Sequence, residues 1–122
     1  MTETAFFFDT YAFFEIIRGN PTYEQYADAS IITTVFNIAE LNYALKKEVA
    51  EKTANEYAEK YWNFVVPVTL ADVTKATSLK RKHKDLSIPD VIGYVVAERH
   101  NVNFLTGDEG FRNLPNVEFV KK

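Results

Sequence analysis

The sequence predicts an α/β protein in which helices cover both faces of a parallel sheet. Short runs of β-branched and aromatic residues alternate along the chain with longer stretches of helical length and propensity. Strands that are separated by helices pair in parallel through right-handed crossovers. A chain of 122 residues suits one core. We therefore interpret residues 1–122 as a single domain with a three-layer α/β/α architecture.

The predicted strands and helices divide the chain as follows. The strands are 5–8, 30–34, 64–68, 103–106 and 117–120. The helices are 11–18, 23–27, 35–49, 51–63, 70–84 and 88–100. Gly19, Asn20 and Pro21 end the first helix, because these residue types favour turns over a continued helix. Ligands of open parallel sheets bind beyond the carboxyl ends of the strands, so the residues that follow each strand are the candidates for function.

Composition and charge narrow the class of protein. Hydrophobic residues make up 47% of the chain and charged residues 25%, as in globular proteins with a packed core. Cysteine is absent, which excludes disulfides and zinc sites built on thiolates. A net charge of −3 argues against a protein that merely coats nucleic acid, but is compatible with a nuclease. The first residues show no basic segment before a short apolar run, so we expect no signal peptide, no membrane span and a cytoplasmic location.

Three aspartates lie next to predicted strand ends or helix starts. Asp9 follows the first strand, Asp108 follows the fourth strand, and Asp90 lies in the first turn of the last helix. Each also suits a helix cap or a turn. Asp90 pairs with Ser87 at the spacing of a capping box. Asp72, which follows a threonine at the same spacing, is interpreted as structural only.

Glu40 is the fourth candidate, because its surroundings on the predicted helix are uncharged. The residues three and four positions away are Phe36, Asn37, Tyr43 and Ala44. A carboxylate is rarely buried there unless it is paired or bound to a cation, and exposure at the helix edge is the alternative. Carboxylates that converge repel one another and need a cation to stay ionised together. An all-oxygen donor set suits Mg²⁺ or Mn²⁺, and such ions promote phosphodiester cleavage.

Four segments resemble the PIN-domain family, and in particular the VapC-type toxins of prokaryotic toxin–antitoxin pairs. They are FDT at 8–10, TVFNIAEL at 34–41, DLSIPD at 85–90 and FLTGDEGF at 104–111. The last segment fits the family's T-x-D-x-x-F end motif, and the four follow one another in the family's order and spacing. The resemblance covers nearly the whole chain. It implies a parallel sheet of four to five strands in the order 3-2-1-4-5.

The resemblance also implies a function and a set of site residues. It implies a Mg²⁺- or Mn²⁺-dependent endoribonuclease that is the toxin of a VapBC-type pair, with RNA as substrate and a small antitoxin as partner. The catalytic residues and metal ligands or ligand supports would be Asp9, Glu40, Asp90 and Asp108. Thr10 and Thr106 match positions where the family often has a polar side chain beside the site.

Basic and aromatic residues suggest contacts with RNA and protein. Arg18 and Arg112, which lie near the acidic motifs, and Arg81, in the basic run at 80–84, are candidates for RNA-phosphate contacts. For the run at 80–84, a solvated helix end whose cations complement the helix dipole is the favoured interpretation, and RNA-phosphate contact is the alternative. The aromatic residues of 11–18 and 57–62 exceed what one face can bury. Core packing accounts for most of them, and a homodimer interface or an antitoxin groove would account for the rest.

Two other functional interpretations fit parts of the sequence. A catalytically idle PIN module that binds RNA or protein is the principal alternative. A receiver-like phosphoacceptor domain shares the sheet order, but it needs paired acidic residues after the first strand, where Asp9 stands alone. We therefore set the receiver-like interpretation aside.

Overall fold

The computed structural model describes residues 5–121, which form four strands and five α-helices, with four of the helices in succession between the second and third strands. In order, the elements are β1 (Ala5–Phe8), α1 (Thr10–Ile17), β2 (Ser30–Ile32), α2 (Val35–Lys46), α3 (Glu51–Trp62), α4 (Leu70–Lys82), α5 (Ile88–Arg99), β3 (Asn103–Thr106) and β4 (Val117–Phe119). Short 3-10 helices cover Pro21–Tyr26 and Glu109–Phe111. The predicted domain of 1–122 also includes residues 1–4 and 122, which lie outside the described residues.

The four strands form one parallel sheet in the order β2-β1-β3-β4. β1 is central, since Phe7 is paired with Ile32 on one side and with Phe104 on the other. Parallel strands place all their carboxyl ends at the same edge of the sheet. Asp9 and the residues that follow β2 and β3 therefore share one edge, as the alternation of strands and helices predicted.

The predicted strand at 64–68 is reduced to a single parallel bridge, between Thr33 and Val65. The Thr33 N–H donates to the Phe64 carbonyl at 3.0 Å, and the Val66 N–H donates to the Thr33 carbonyl at 2.9 Å. Pro67 has no N–H to extend this ladder. The bridge lies beside β2, where the order 3-2-1-4-5 has its third strand. The described sheet accordingly has four strands, at the lower end of the predicted range.

Side chains alternate along β1 and separate two hydrophobic cores. Phe6 and Phe8 pack with apolar residues of α1, α2 and α3, whereas Phe7 packs with residues of α4 and α5 on the other face. Gly93 in α5 permits this close approach, because a Cβ there would lie 2.9 Å from the Phe7 ring. The two cores on opposite faces of one sheet confirm the three-layer architecture. None of the helices within residues 5–121 combines the length and apolarity that crossing a bilayer requires.

Candidate active site

A cleft of about 350 Å³ opens at the carboxyl edge of the sheet. Residues of α1, α2 and α5 and of the turn after β3 form its walls. The lining residues are Asp9, Thr10, Tyr11, Phe14, Arg18, Glu40, Ser87, Asp90 and Asp108. All four carboxylates proposed from the sequence thus face one space, together with Thr10 and Arg18.

Asp9 is the innermost of these carboxylates, with 4% of its surface exposed. It directly follows β1 and caps α1, and its Oδ1 accepts the Ala12 N–H at 2.7 Å. Burial raises the pKa of Asp9 from its ordinary value of 3.8 to about 7, against the effect of hydrogen bonds from Thr106 and Ala12. Neighbouring carboxylates raise the pKa further. Asp9 therefore gains most from a cation that would stabilise its ionised form.

Thr106 is fully buried and contacts both the Asp9 side chain and the backbone of Asp108. Its hydroxyl oxygen accepts the Asp108 N–H at 3.0 Å, and its side chain also hydrogen-bonds to Asp9. Thr106 is the last residue of β3, which pairs with β1. In this pairing Leu105, the residue before Thr106, lies opposite Phe8, the residue before Asp9. The sheet register thus brings the carboxyl ends of β1 and β3 together.

Asp90 is held by a reciprocal capping box at the start of α5. The Ser87 N–H donates to Asp90 Oδ2 at 3.1 Å, and the Asp90 N–H donates to the Ser87 hydroxyl at 3.2 Å. Burial raises the pKa of Asp90, and the charge of Asp108 adds to this effect. The bonds from Ser87 and the nearby charge of Lys80 act in the opposite direction.

Asp108 caps the second 3-10 helix, where its Oδ1 accepts the Gly110 N–H at 2.9 Å. Gly110 is required by this packing, because a Cβ there would lie 2.6 Å from a methyl carbon of Leu86 and 3.3 Å from Asp108 Oδ1. The sequence identified Gly110 only as a variable position of the end motif. Its supporting role depends on the approach of the α4–α5 turn, which no local pattern indicates.

Capping and clustering are therefore compatible in this site. Asp9, Asp90 and Asp108 each accept a backbone N–H with one carboxylate oxygen. A carboxylate has two oxygens and about four lone-pair sites, so one such bond leaves acceptor capacity for a cation. The caps orient the side chains that the cleft brings together.

Glu40 lies on the exposed side of the cleft, in α2. The Thr10 hydroxyl donates a 2.8 Å hydrogen bond to its Oε1. Partial burial of the carboxyl and the charge of Asp90 raise the pKa of Glu40, whereas the bond from Thr10 lowers it. Glu40 is therefore solvent-exposed, as one of the two sequence interpretations had it, and it also lines the acidic cleft.

Only Arg18 among the three candidate arginines lines the cleft. Its guanidinium lies 4.9 Å from the centre of the Phe14 ring and 3.0 Å from Glu48. Arg112 pairs with Glu109 at 3.1 Å, and Arg81 is exposed on α4; neither is among the residues that line this cleft.

The donor set suits a hard divalent cation by its chemistry. Every carboxylate facing the cleft supplies oxygen donors, and three of them, Asp9, Glu40 and Asp90, have raised pKa values. Within residues 5–121, no three His, Cys, Asp or Glu side chains are close enough to form a metal cage by themselves. Mg²⁺ usually keeps several waters and takes only one or two protein carboxylates. Such an ion fits this open arrangement.

Fold and site together define a class, an α/β domain with a parallel sheet and carboxylates gathered at its carboxyl edge. The sequence model of the PIN domain matches residues 6–117. The chain therefore belongs to the PIN domain family, which confirms the resemblance. No curated protein sequence matches it.

Solved structures that share this fold include the following three. A toxin–antitoxin complex from Klebsiella pneumoniae gives a TM-score of 0.75 at 19% identity, covering 92% of this chain and 94% of that chain. VapBC2 from Rickettsia felis, bound to a promoter DNA fragment, gives a TM-score of 0.70 at 14% identity, covering 98% of this chain and 99% of that chain. FitAcB from Neisseria gonorrhoeae gives a TM-score of 0.68 at 17% identity, covering 95% of this chain and 96% of that chain. At these identities the similarity establishes the fold.

Proposed function

We propose that this protein is a Mg²⁺- or Mn²⁺-dependent endoribonuclease that cleaves RNA phosphodiester bonds. The observation that carries the proposal is the single cleft that Asp9, Glu40, Asp90 and Asp108 face, in a chain of the PIN domain family. When bound, a divalent cation supplies Lewis acidity, which activates water and stabilises negative charge at a phosphate. The acidic cleft would otherwise repel an RNA backbone.

The chain's own residues would divide the work by their positions. Asp9, Asp90 and Asp108, each oriented by a cap, would hold the cation. Glu40 combines an exposed position with a raised pKa, as suits a group that accepts a proton from the attacking water. Arg18, at the same cleft with a half-exposed side chain, would contact the phosphate.

We further propose that the protein acts in the cytoplasm as the toxin of a VapBC-type pair and forms a homodimer. Toxin–antitoxin complexes among the structures of similar fold support an antitoxin partner. A second depression, of about 490 Å³, lies between α2 and α3 and is lined by apolar residues including Val35, Ile38 and the 54%-exposed Trp62. Tyr61, beside Trp62, is buried in the core. Part of the aromatic excess therefore remains available for a protein partner.

RNA cleavage by the purified protein tests the enzymatic proposal. We expect cleavage with Mn²⁺ that EDTA abolishes, and a loss of at least about 10²-fold in Asp9→Asn, since ligands and their supports contribute on this scale. Asp72→Asn, a buried aspartate outside the cleft, is the matched control and should cleave normally while folded. Wild-type cleavage by Asp9→Asn that is insensitive to EDTA would contradict the metal mechanism. RNA binding without any cleavage would favour the idle module.

Partner formation needs a separate measurement. Light scattering at micromolar concentration should give the mass of a dimer, and co-expression with the adjacent upstream reading frame should yield a co-purified small protein. A monomer that purifies without that product would contradict both parts of the partner proposal.

A further inference from the structure

Asn37 is a buried polar residue in the first turn of α2, with 1% of its surface exposed. Its Oδ1 accepts a hydrogen bond from the Thr34 hydroxyl at 2.7 Å. Its amide nitrogen donates to the Thr10 hydroxyl at 3.3 Å. Thr10 in turn donates to Glu40 Oε1 at 2.8 Å. A continuous chain of side-chain hydrogen bonds thus runs from the interior to the cleft.

The direction of this chain follows from the chemistry of its members. A hydroxyl carries one proton, so a Thr10 oxygen that accepts the Asn37 N–H keeps its own proton for Glu40. Each bond polarises the next in the same sense, which strengthens the last bond to the carboxylate. Glu40 is exposed and has three rotatable side-chain bonds, so it gains orientation from a partner that is itself fixed.

We propose that Asn37 is a positioning residue of the cleft, which acts through Thr10 to orient the Glu40 carboxylate. This inference rests on the proposed nuclease function and names a residue that supports the same site. Asn37 does not line the cleft, and its hydrogen bond toward the cleft is the one to Thr10, so the proposal requires that its effect on Glu40 depend on Thr10. That dependence separates positioning from a purely structural role at the start of α2.

A double-mutant cycle tests the dependence. Asn37→Leu removes the amide at similar volume, and Thr10→Val removes the hydroxyl at similar shape. Each should lower kcat for RNA cleavage by about 10- to 100-fold with little change in KM, as expected for groups that orient site residues. The double variant should be no slower than Thr10→Val alone, because both changes break one path. Thr10→Ser, which keeps the hydroxyl, should restore kcat.

Asn42→Leu is the matched control, since it makes the same substitution on the same helix. Asn42 bonds to the Ala54 carbonyl at 3.2 Å and to Asn55 at 3.0 Å, and so connects α2 to α3 rather than to the cleft. It should leave kcat unchanged. Additive losses in the double variant, or an equal loss in Asn42→Leu, would overturn the positioning role.

A second readout needs no activity and no Asn37 variant. In NMR spectra of the metal-free protein, Thr10→Val and Glu40→Gln should each shift the side-chain amide signals of Asn37 and leave those of Asn42 in place. Unmoved Asn37 signals would overturn the relay itself. A wild type that neither binds Mn²⁺ by calorimetry nor cleaves RNA would overturn the proposed function and with it any effect of Asn37 on catalysis, whatever the NMR spectra show about the hydrogen bonds.

Discussion

Asp72 and Asp90 occupy the same position in two capping boxes, yet their carboxylates have opposite electrostatic surroundings. Each is the third residue of its helix and accepts the N–H of the residue before the helix. Arg99 donates to both oxygens of Asp72 at 2.9 to 3.2 Å. Burial of Asp72 is outweighed by these bonds and those from Thr69, and its pKa is lowered. Asp90 has no such guanidinium within the described residues, and burial raises its pKa.

Neutralising these two aspartates should therefore have different effects on stability. In EDTA at pH 7, Asp90→Asn should leave the free energy of unfolding unchanged or raise it. The asparagine side chain keeps an oxygen for the Ser87 N–H, and the substitution removes a negative charge that Asp108 repels. Asp72→Asn should lower it by about 1.5–3 kcal/mol, the contribution of hydrogen bonds to charged groups. Urea denaturation of both variants measures the difference. Equal losses would mean that Asp90 is only a cap.

The raised pKa of Asp9 predicts a decrease in metal-free stability between about pH 4 and 7. In this range the folded protein binds a proton that the unfolded chain has already released, since the folded pKa is about 7 and the ordinary value is 3.8. Stability then falls as pH rises, by at most about 1.4 kcal/mol per pH unit for one group. Asp9→Asn should flatten this decline in urea titrations from pH 4 to 8. A decline of the same slope in the variant would assign it to other groups.

Mn²⁺ should stabilise the folded protein by mass action. A ligand at a hundredfold excess over its dissociation constant contributes up to about 2.7 kcal/mol. We expect a higher Tm with Mn²⁺ in thermal-shift measurements, and loss of that increase in Asp108→Asn without loss of metal-free stability. Asp72→Asn should respond to Mn²⁺ as the wild type does. Uniform destabilisation of the cleft variants with no metal response would indicate four unconnected structural carboxylates.

Arg18 should contribute to RNA binding more than the other two candidate arginines. Arg18 lines the cleft, and its 3.0 Å ion pair with Glu48 joins two half-exposed side chains. Its contact with the buried Glu15 is longer, at 3.7 Å, so Arg18→Gln should change stability little. For Arg18→Gln we expect a higher KM for RNA cleavage. We also expect the slope of log affinity for RNA against log salt concentration to be less steep by about one unit. Arg112→Gln, matched in chemistry but outside the cleft lining, should leave both unchanged. The same loss in both variants would indicate a general charge effect.

The layers of the fold could be predicted because they depend on local patterns. Alternating strands and helices indicated the parallel sheet, and the spacing of Ser87 and Asp90 indicated the start of α5, where the capping box forms. The segment at 64–68 was predicted as a full strand because its apolar run has strand propensity. Its single bridge to Thr33 reflects an edge position and Pro67, which together decide how far the ladder extends.

The sequence by itself determined the residue types at the strand ends, the caps that orient three aspartates, and the absence of thiolate ligands. Tertiary structure decided which groups meet: Arg99 with Asp72, Thr106 with Asp9, and Thr10 with Glu40 across 30 positions of sequence. It also decided the raised pKa of Asp9, which burial causes. The physical reason is the distance along the chain over which each interaction acts. Caps and hydrophobic periodicity act within about one helical turn, whereas desolvation and contacts between helices depend on how the whole chain packs.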